Sequence, residues 1–183
     1  MSLKTPVIAV FDIGKTNKKV FLWSTTFEIV FEKQQTFDEI VDEDGFACED
    51  LGALQQWIVS SFAELCQLPE FEIIGLNFSA YGASFVYVDR VGEVVAPLYN
   101  YLKPVSKAFP YVEYGGEAEF ARKTASPILG NLNSGLQVYE STFRPFWPEV
   151  FKAVHFPNYL ASLFTGRDRK STRLNSSHRC LSR

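Results

Sequence analysis

The sequence contains no long apolar run, only two histidines and few cysteines, and each of these shortages excludes a class of protein. No apolar stretch approaches the roughly 20 residues that a membrane-spanning helix needs, and the opening MSLKTP has no signal-peptide core. Cys48 and Cys66 do not have the spacing of metal ligands. We therefore expect a cytoplasmic protein with reduced thiols and without membrane contact.

The final segment of the chain needs separate treatment. Residues 168–178 (DRKSTRLNSSH) agree at every codon with the translation of a common sequencing-library adapter. We therefore expect the native sequence to end at Gly166 or Arg167, and residues 168–183 to be disordered read-through that is not native. The alternative is a genuine basic, serine-rich tail.

The charge balance changes once this segment is set aside. The remaining chain has 13 basic and 20 acidic residues, a net charge of −7 rather than −3. An acidic, aromatic-rich body argues against a polyanion groove, so we expect no nucleic-acid partner. The apolar content of 46% allows one ordinary domain or part of a larger one. His155 has apolar neighbours and is interpreted as structural.

A polar turn follows the first apolar segment. Residues 7–11 (VIAVF) have the length and branched content of a buried strand, and residues 20–23 (VFLW) read as its antiparallel partner. Asp12 and Lys19 then lie at the mouth of a hairpin, where Gly14 permits close approach of an anion. The chain has neither a Walker A loop nor a G-x-G-x-x-G fingerprint, and a plain hairpin loop is the alternative.

The next segments extend this pattern. Residues 29–31 predict a third strand, and the acidic stretch 38–50 is interpreted as a solvated loop rather than a cation-binding loop. Asp50 can cap a helix with one buried stripe, and residues 73–78 read as the next strand. The stripe comprises Leu51, Leu54, Trp57, Ile58, Phe62 and Leu65. Three antiparallel strands, a helix and a further strand are the opening order of a ribonuclease-H-like domain.

Several motifs in order resemble those of a known family. Asp12, Gly14, Thr16 and Lys19 match the D-x-G-x-T-x-x-[RK] phosphate motif of the actin, Hsp70 and sugar-kinase superfamily. The sugar-side loop and hairpin of FGGY carbohydrate kinases resemble residues 77–92 and 97–101, and their d-Y-L-x-x-x-L-T-G helix is similar to residues 158–166. A helix start at residues 131–134 and a P-E-x-F segment at residues 148–151 also match.

The resemblance implies a fold and a domain. We expect an α/β, ribonuclease-H-like (actin-like ATPase) domain whose mixed sheet begins with three antiparallel strands and carries helices on both faces. Residues 1–167 would be the N-terminal domain of an FGGY kinase, truncated and therefore incomplete at the C-terminus. Gly166 would stop the last helix.

The resemblance also implies how ATP and Mg²⁺ are held. Asp12 would organise the magnesium ion and water around the transferred phosphate, and Gly14 would allow close backbone approach. Thr16 and Lys19 would contact phosphate oxygens. Lys15 and Lys18 could share the cationic role, or they could be solvated loop lysines.

For the sugar, the family pattern points to two loops. The proposed contacts are Ser79, Tyr81, Gly82, Tyr99, Asn100 and Tyr101. Their hydroxyls, amide and rings suit a polyol. Many family members have a W-x-D-x-R-like segment where this chain reads YNYLKP, so the acid and arginine are missing. The alternative is that these tyrosines are ordinary core or hairpin residues.

The implied parent enzyme transfers the ATP γ-phosphate to a hydroxyl of a small-molecule sugar, expected to be a ketopentose or a ketohexose. The catalytic base and the adenosine-binding loop belong to the family's second half, so we expect the 183-residue chain to be inactive and to fold poorly. Alternatives from other classes are an actin-like or Hsp70-like nucleotide switch and a catalytically dead sugar-binding regulator.

The adapter interpretation predicts the result of sequencing source DNA across Gly166. We expect the reading frame to continue into a second actin-like half with a candidate aspartate base and a glycine-rich adenosine loop. DNA that encodes residues 168–183 and then stops would contradict the adapter interpretation and would favour a non-catalytic product.

Overall fold

The computed structural model of the chain describes residues 3–165, so Gly166 and the segment 168–183 lie outside the described residues. The strands are β1 (Thr5–Ile13), β2 (Asn17–Ser24), β3 (Ile29–Thr36), β4 (Ile40–Val41), β5 (Ala47–Cys48), β6 (Phe71–Ala80), β7 (Phe85–Val88) and β8 (Lys152–His155). The helices are α1 (Leu51–Leu65), α2 (Glu117–Thr124), α3 (Ser134–Ser141) and α4 (Phe156–Thr165). None of these helices has the length and apolar character needed to cross a membrane.

A four-stranded mixed sheet organises the domain. Its order is β3-β2-β1-β6, with antiparallel pairing among the first three strands and parallel pairing of β1 with β6. Parallel neighbours need a long crossover connection, which here contains α1. The predicted order of three antiparallel strands, a helix and a further strand is confirmed.

The crossover helix has the predicted cap and buried stripe. The Oδ1 atom of Asp50 accepts a hydrogen bond of 2.9 Å from the Ala53 amide, which satisfies one free N–H of the first turn. Leu54 and Ile58 are fully buried in the core. Pro69 follows the helix before β6 begins at Phe71.

The core lies on one face of the sheet. Along β1, Val7, Ala9, Phe11 and Ile13 alternate with more exposed residues and have no exposed surface. Both helices that join this core, α1 and α4, pack on this face. The prediction of helices on both faces is therefore not met within residues 3–165, whereas the mixed α/β fold is confirmed. The opposite face of β1 carries Pro6, Ile8, Val10 and Asp12, of which Val10 is partly buried and the other three are exposed.

The acidic stretch is more ordered than the sequence predicts. Its strands β4 and β5 form a small hairpin, and the Asp42 carboxylate is buried. Asp42 accepts hydrogen bonds of 2.9 Å from the amides of Asp44 and Phe46, and one of 2.5 Å from Lys103. Burial alone would raise the pKa of Asp42, but these hydrogen bonds lower it overall. The prediction of a solvated loop is wrong at Asp42, because a lysine 61 residues away neutralises it.

The second half of the described chain forms a second, smaller sheet. Strand β7 pairs antiparallel with β8, and a turn at residues 89–92 leads back to an isolated bridge between Val88 and Val94. The ring of His155 lies 4.4 Å from that of Phe85, which agrees with a structural role. Helix α3 begins at Ser134 and α4 spans the predicted Y-L-x-x-x-L segment.

The turn between β1 and β2 is closed so tightly that one of its positions requires glycine. The Gly14 amide donates a hydrogen bond of 3.0 Å to the Asn17 carbonyl oxygen. A Cβ atom placed on Gly14 would lie only 2.9 Å from that same oxygen. Because the oxygen belongs to the backbone, an added methyl group would force the turn itself to move.

We therefore expect Gly14→Ala to lower the free energy of unfolding by about 1–3 kcal/mol, the usual cost of overpacking. Gly82→Ala is the matched control, because a Cβ at Gly82 meets nothing within 4 Å. Urea unfolding of both variants measures the difference. Equal stability of the two variants would show that the turn has room for a side chain.

Candidate functional site

Three polar side chains from neighbouring strands form a row across the open face of the sheet. Asp12 near the end of β1 is the register partner of Lys19 on β2 and of Ser79 on β6. Register partners on adjacent strands project to the same face. The neighbours Phe11 and Ile13 project to the core, so this row projects away from it. The structure thus brings together two predicted phosphate residues, Asp12 and Lys19, and one predicted sugar residue, Ser79.

The two predicted ligand loops lie side by side at the carboxyl ends of parallel strands. The turn at residues 14–16 follows β1, and the loop at residues 81–84 follows β6. The Tyr81 amide donates a hydrogen bond of 3.1 Å to the Ile13 carbonyl oxygen, which ties the loops together. In open α/β sheets, ligands bind outside the carboxyl ends of the strands.

Two partly exposed lysines at the turn and on β2 have weakly held partners. Lys19 is 2.7 Å from Glu32 and lies over the Phe21 ring, and Lys15 pairs with Glu39. All of these side chains are partly exposed, and ion pairs of this kind contribute only about 0–1 kcal/mol. Lys15 and Lys19 can therefore exchange a carboxylate for a phosphate group at little cost. Thr16 is exposed at the same turn.

Lys18 has a different position, which excludes a solvated role. Its side chain is 2% exposed and faces the helix-covered side of the sheet. The ammonium group lies 2.9 Å from the Glu49 carboxylate and donates a hydrogen bond of 2.9 Å to the Lys15 carbonyl oxygen. Sequence reasoning missed both this pairing and Glu49. The available signal was the alternation of β2, which places Lys18 on the same face as buried Val20 and Leu22.

Tyr81 is held in this buried group. Its hydroxyl donates a hydrogen bond of 3.3 Å to Glu49, and its ring packs 4.9 Å from the ring of Phe156. Burial, and then the negative charge of Glu49, raises the pKa of Tyr81 well above its ordinary value. Tyr81 therefore stays protonated and remains a hydrogen-bond donor.

Tyr99, Asn100 and Tyr101 have hydrogen-bond or ring partners elsewhere in the described chain. The Tyr99 hydroxyl donates to Glu43, and its ring stacks on Phe146 at 6.1 Å. The Asn100 side chain donates to the Ala47 carbonyl oxygen at 3.2 Å and accepts from the Leu102 amide at 2.9 Å. The ring of Tyr101 lies 5.8 Å from that of Tyr81, and the Tyr99 carbonyl oxygen accepts a hydrogen bond of 3.2 Å from the Ser84 hydroxyl, so both residues contact the loop after β6. Direct sugar contact by Tyr99, Asn100 and Tyr101 stays a prediction.

An acid and an arginine do lie beside Tyr99, although the W-x-D-x-R segment is missing. Arg144 lies over the Tyr99 ring at 5.8 Å and pairs with Asp44 at 2.5 Å. The hydrogen bonds from Arg144 and then Lys103 hold the pKa of Asp44 well below its usual range. Neither Arg144 nor Asp44 was predicted, because they come from segments about 100 positions apart that no local pattern connects.

The residues present fit a magnesium ion bound together with phosphate. Within residues 3–165 no group of three or more His, Cys, Asp or Glu side chains is arranged to hold a metal by itself. Magnesium bound with nucleotide usually takes only one or two protein carboxylates, and phosphate oxygens and water complete its shell. The exposed Asp12 carboxylate beside the turn meets that requirement.

Comparison with known proteins supports the resemblance found in the sequence. A scan against models of protein families finds no match for the chain. A rhamnulokinase from Mannheimia succiniciproducens is 29% identical over 168 residues, which cover 87% of this chain and 34% of the relative. The chain thus spans about a third of the length of the curated relative that it matches.

Solved structures share the fold. A gluconate kinase from Lactobacillus acidophilus superimposes with a TM-score of 0.74 at 16% identity, over 87% of this chain and 33% of its own. A carbohydrate kinase from Novosphingobium aromaticivorans gives a TM-score of 0.69 at 22% identity, over 87% of this chain and 34% of its own. The chain therefore has the actin-like ATPase fold of the sugar kinases, of which it spans about a third, and its resemblance to the FGGY carbohydrate kinases is confirmed.

Proposed function

We propose that this chain is part of an ATP-dependent carbohydrate kinase and forms one wall of its active site. The observation that carries this proposal is the row of Lys19, Asp12 and Ser79 on one sheet face. A phosphate-binding turn and a polyol-binding loop must lie side by side if a phosphoryl group is to pass between their ligands. The register of β1 with β6 meets that requirement.

Each residue of the turn has a role that follows from charge and geometry. The Asp12 carboxylate would hold Mg²⁺, which when bound neutralises charge on the phosphate oxygens of ATP. Lys19 and the Thr16 hydroxyl would contact those oxygens, and Gly14 keeps the turn tight enough for its backbone to reach them. These interactions orient the nucleotide and stabilise the charge that is spread over the transferred group.

The sugar would lie against the loop that follows β6. Ser79 offers a hydroxyl in line with Asp12, and Gly82 is exposed with free space around it. Tyr81 and Tyr101 supply neighbouring aromatic surface, although the Tyr81 hydroxyl is already bonded to Glu49. Tyr99 and Asn100 would act mainly by holding this side of the site in shape, because their polar groups have partners in the scaffold.

The class of acceptor is a small polyhydroxylated molecule. The names of the similar proteins, a rhamnulokinase and a gluconate kinase, differ in sugar, so they support the class and not one substrate. Within that class we propose a ketopentose or a ketohexose. The proposal needs no nucleic acid or membrane, and it fits a cytoplasmic enzyme.

The test uses the enzyme encoded by the continued reading frame, assayed for ADP release with a panel of ketoses, aldoses and sugar acids. We expect ATP turnover that depends on one sugar, and a loss of about 100-fold or more in kcat for Asp12→Asn. Asp38→Asn is the control, since Asp38 is an exposed carboxylate outside the row.

ATP turnover that ignores every sugar would contradict the proposal and would favour a nucleotide switch. The 183-residue chain alone is expected to phosphorylate nothing, and detectable phosphorylation by it would contradict the assignment of the catalytic base to a missing segment.

A further inference from the structure

A buried ion pair lies directly beneath the phosphate-binding turn. The side chains of Lys18 and Glu49 are 2% and 4% exposed, and their charged groups are 2.9 Å apart. Removing two charges from water is costly, and a buried pair of this kind often gives no more stability than apolar side chains of similar size. Stability alone therefore does not account for this pair, and its contacts point to another role.

The lysine end of the pair fixes the orientation of one peptide group in the turn. The Lys18 ammonium donates a hydrogen bond of 2.9 Å to the Lys15 carbonyl oxygen, which draws that oxygen toward the core side. In a planar trans peptide the C=O and N–H point in opposite directions. The Thr16 N–H therefore points away from the core, toward the side on which Asp12 lies.

The glutamate end connects the turn to the sugar-side loop. Glu49 accepts a hydrogen bond of 3.3 Å from the Tyr81 hydroxyl, and its backbone forms a bridge with Leu98. It also directly precedes Asp50, which caps α1. One residue thus joins the phosphate-binding turn and the loop after β6 through its carboxylate, and it is adjacent in sequence to the start of the crossover helix.

We propose that Lys18 and Glu49 are positioning residues that aim the Thr16 N–H at a phosphate oxygen and couple the phosphate turn to the sugar-side loop through Tyr81. This inference rests on the proposed function for the identity of the anion. The orientation of the turn does not depend on that identity, so it can be tested without any ligand.

A pair of double variants of the full 183-residue chain separates positioning from stability. Lys18→Met with Glu49→Gln removes both charges and avoids leaving one of them buried alone. Lys33→Met with Glu64→Gln is the matched control, because this Lys–Glu pair is 2.5 Å apart, more exposed, and joins β3 to α1 instead of holding the turn. Amide hydrogen exchange is measured by NMR at Gly14, whose N–H closes the turn, and at Val10 within β1.

We expect exchange at Gly14 to be about tenfold faster in the Lys18/Glu49 variant, the effect of losing one hydrogen bond that holds the turn. Exchange at Val10 should change by less than about twofold, and the Lys33/Glu64 variant should match the wild type at both amides. Exchange at Gly14 that stays within twofold of the wild type in a folded Lys18/Glu49 variant would overturn the proposal, as would an equal acceleration at Gly14 and Val10.

If the double variant does not fold, Glu49→Asp alone provides the test, since it keeps both charges and shortens the side chain that holds the ammonium group. About threefold faster exchange confined to Gly14 supports the proposal, and wild-type exchange overturns it.

Adding magnesium tripolyphosphate to the wild-type chain then tests the anion separately. We expect the Thr16 amide resonance of the wild-type chain to shift as the anion binds. An apparent affinity about tenfold weaker in the Lys18/Glu49 variant supports both proposals. If the wild-type resonance does not move, the phosphate role of the turn fails, and the positioning role is decided by exchange at Gly14 alone.

Discussion

The parallel pairing of β1 with β6 is the constraint on which the site depends. Two parallel neighbours end at the same edge of a sheet, so the turn after β1 and the loop after β6 are brought together whatever their own sequences. The crossover through α1 makes the pairing possible, because its apolar stripe buries the inner face of both strands. Asp12 and Ser79 then become neighbours through register alone, and their loops are free to differ without loss of the fold.

Local patterns predicted much of this arrangement. The length and branched content of residues 7–11 predicted β1, with residues 20–23 as its partner strand, and the spacing of Leu54, Ile58 and Leu65 predicted the buried stripe of α1. These elements could be predicted because each signal lies within a window of about ten residues. The family motifs supplied Asp12 and Ser79, which periodicity cannot identify as functional, since an exposed polar residue at a strand end has no local signature of its role.

The parts that could not be predicted depend on partners distant in the sequence. Lys18 pairs with Glu49, at a separation of 31 residues, and Asp42 pairs with Lys103, at a separation of 61 residues. A charged residue in a polar stretch is usually solvated. Its burial becomes favourable only when folding places an opposite charge beside it. Burial alone lowers the pKa of Lys103, yet hydrogen bonds to Asp42 and Asp44 raise it overall, which shows that the partners outweigh the desolvation.

These two buried pairs each tie together segments that carry predicted site residues. Lys18 and Glu49 hold the phosphate turn, whereas Lys103 and Asp42 join the acidic hairpin to the segment that carries Tyr99. The side chains expected to meet ligand thus lie on segments that buried ion pairs hold in place. Preorganisation of this kind matters most for phosphoryl transfer, in which the protein supplies positioning and charge neutralisation and little covalent chemistry.

The exposure of the row also defines what this wall of the site can do. Asp12 and Ser79 face solvent in the described part of the chain, so water competes for every charge there. Electrostatic stabilisation of a transition state is strong only where water is excluded, and acceptance of the sugar proton needs a base aligned with the attacking hydroxyl. Under the proposed function, a single open wall would orient phosphate and polyol but could not close around them. Under the proposed function, catalysis would require a second surface opposite the row, and the direction in which Asp12 and Ser79 face would set the side from which that surface approaches.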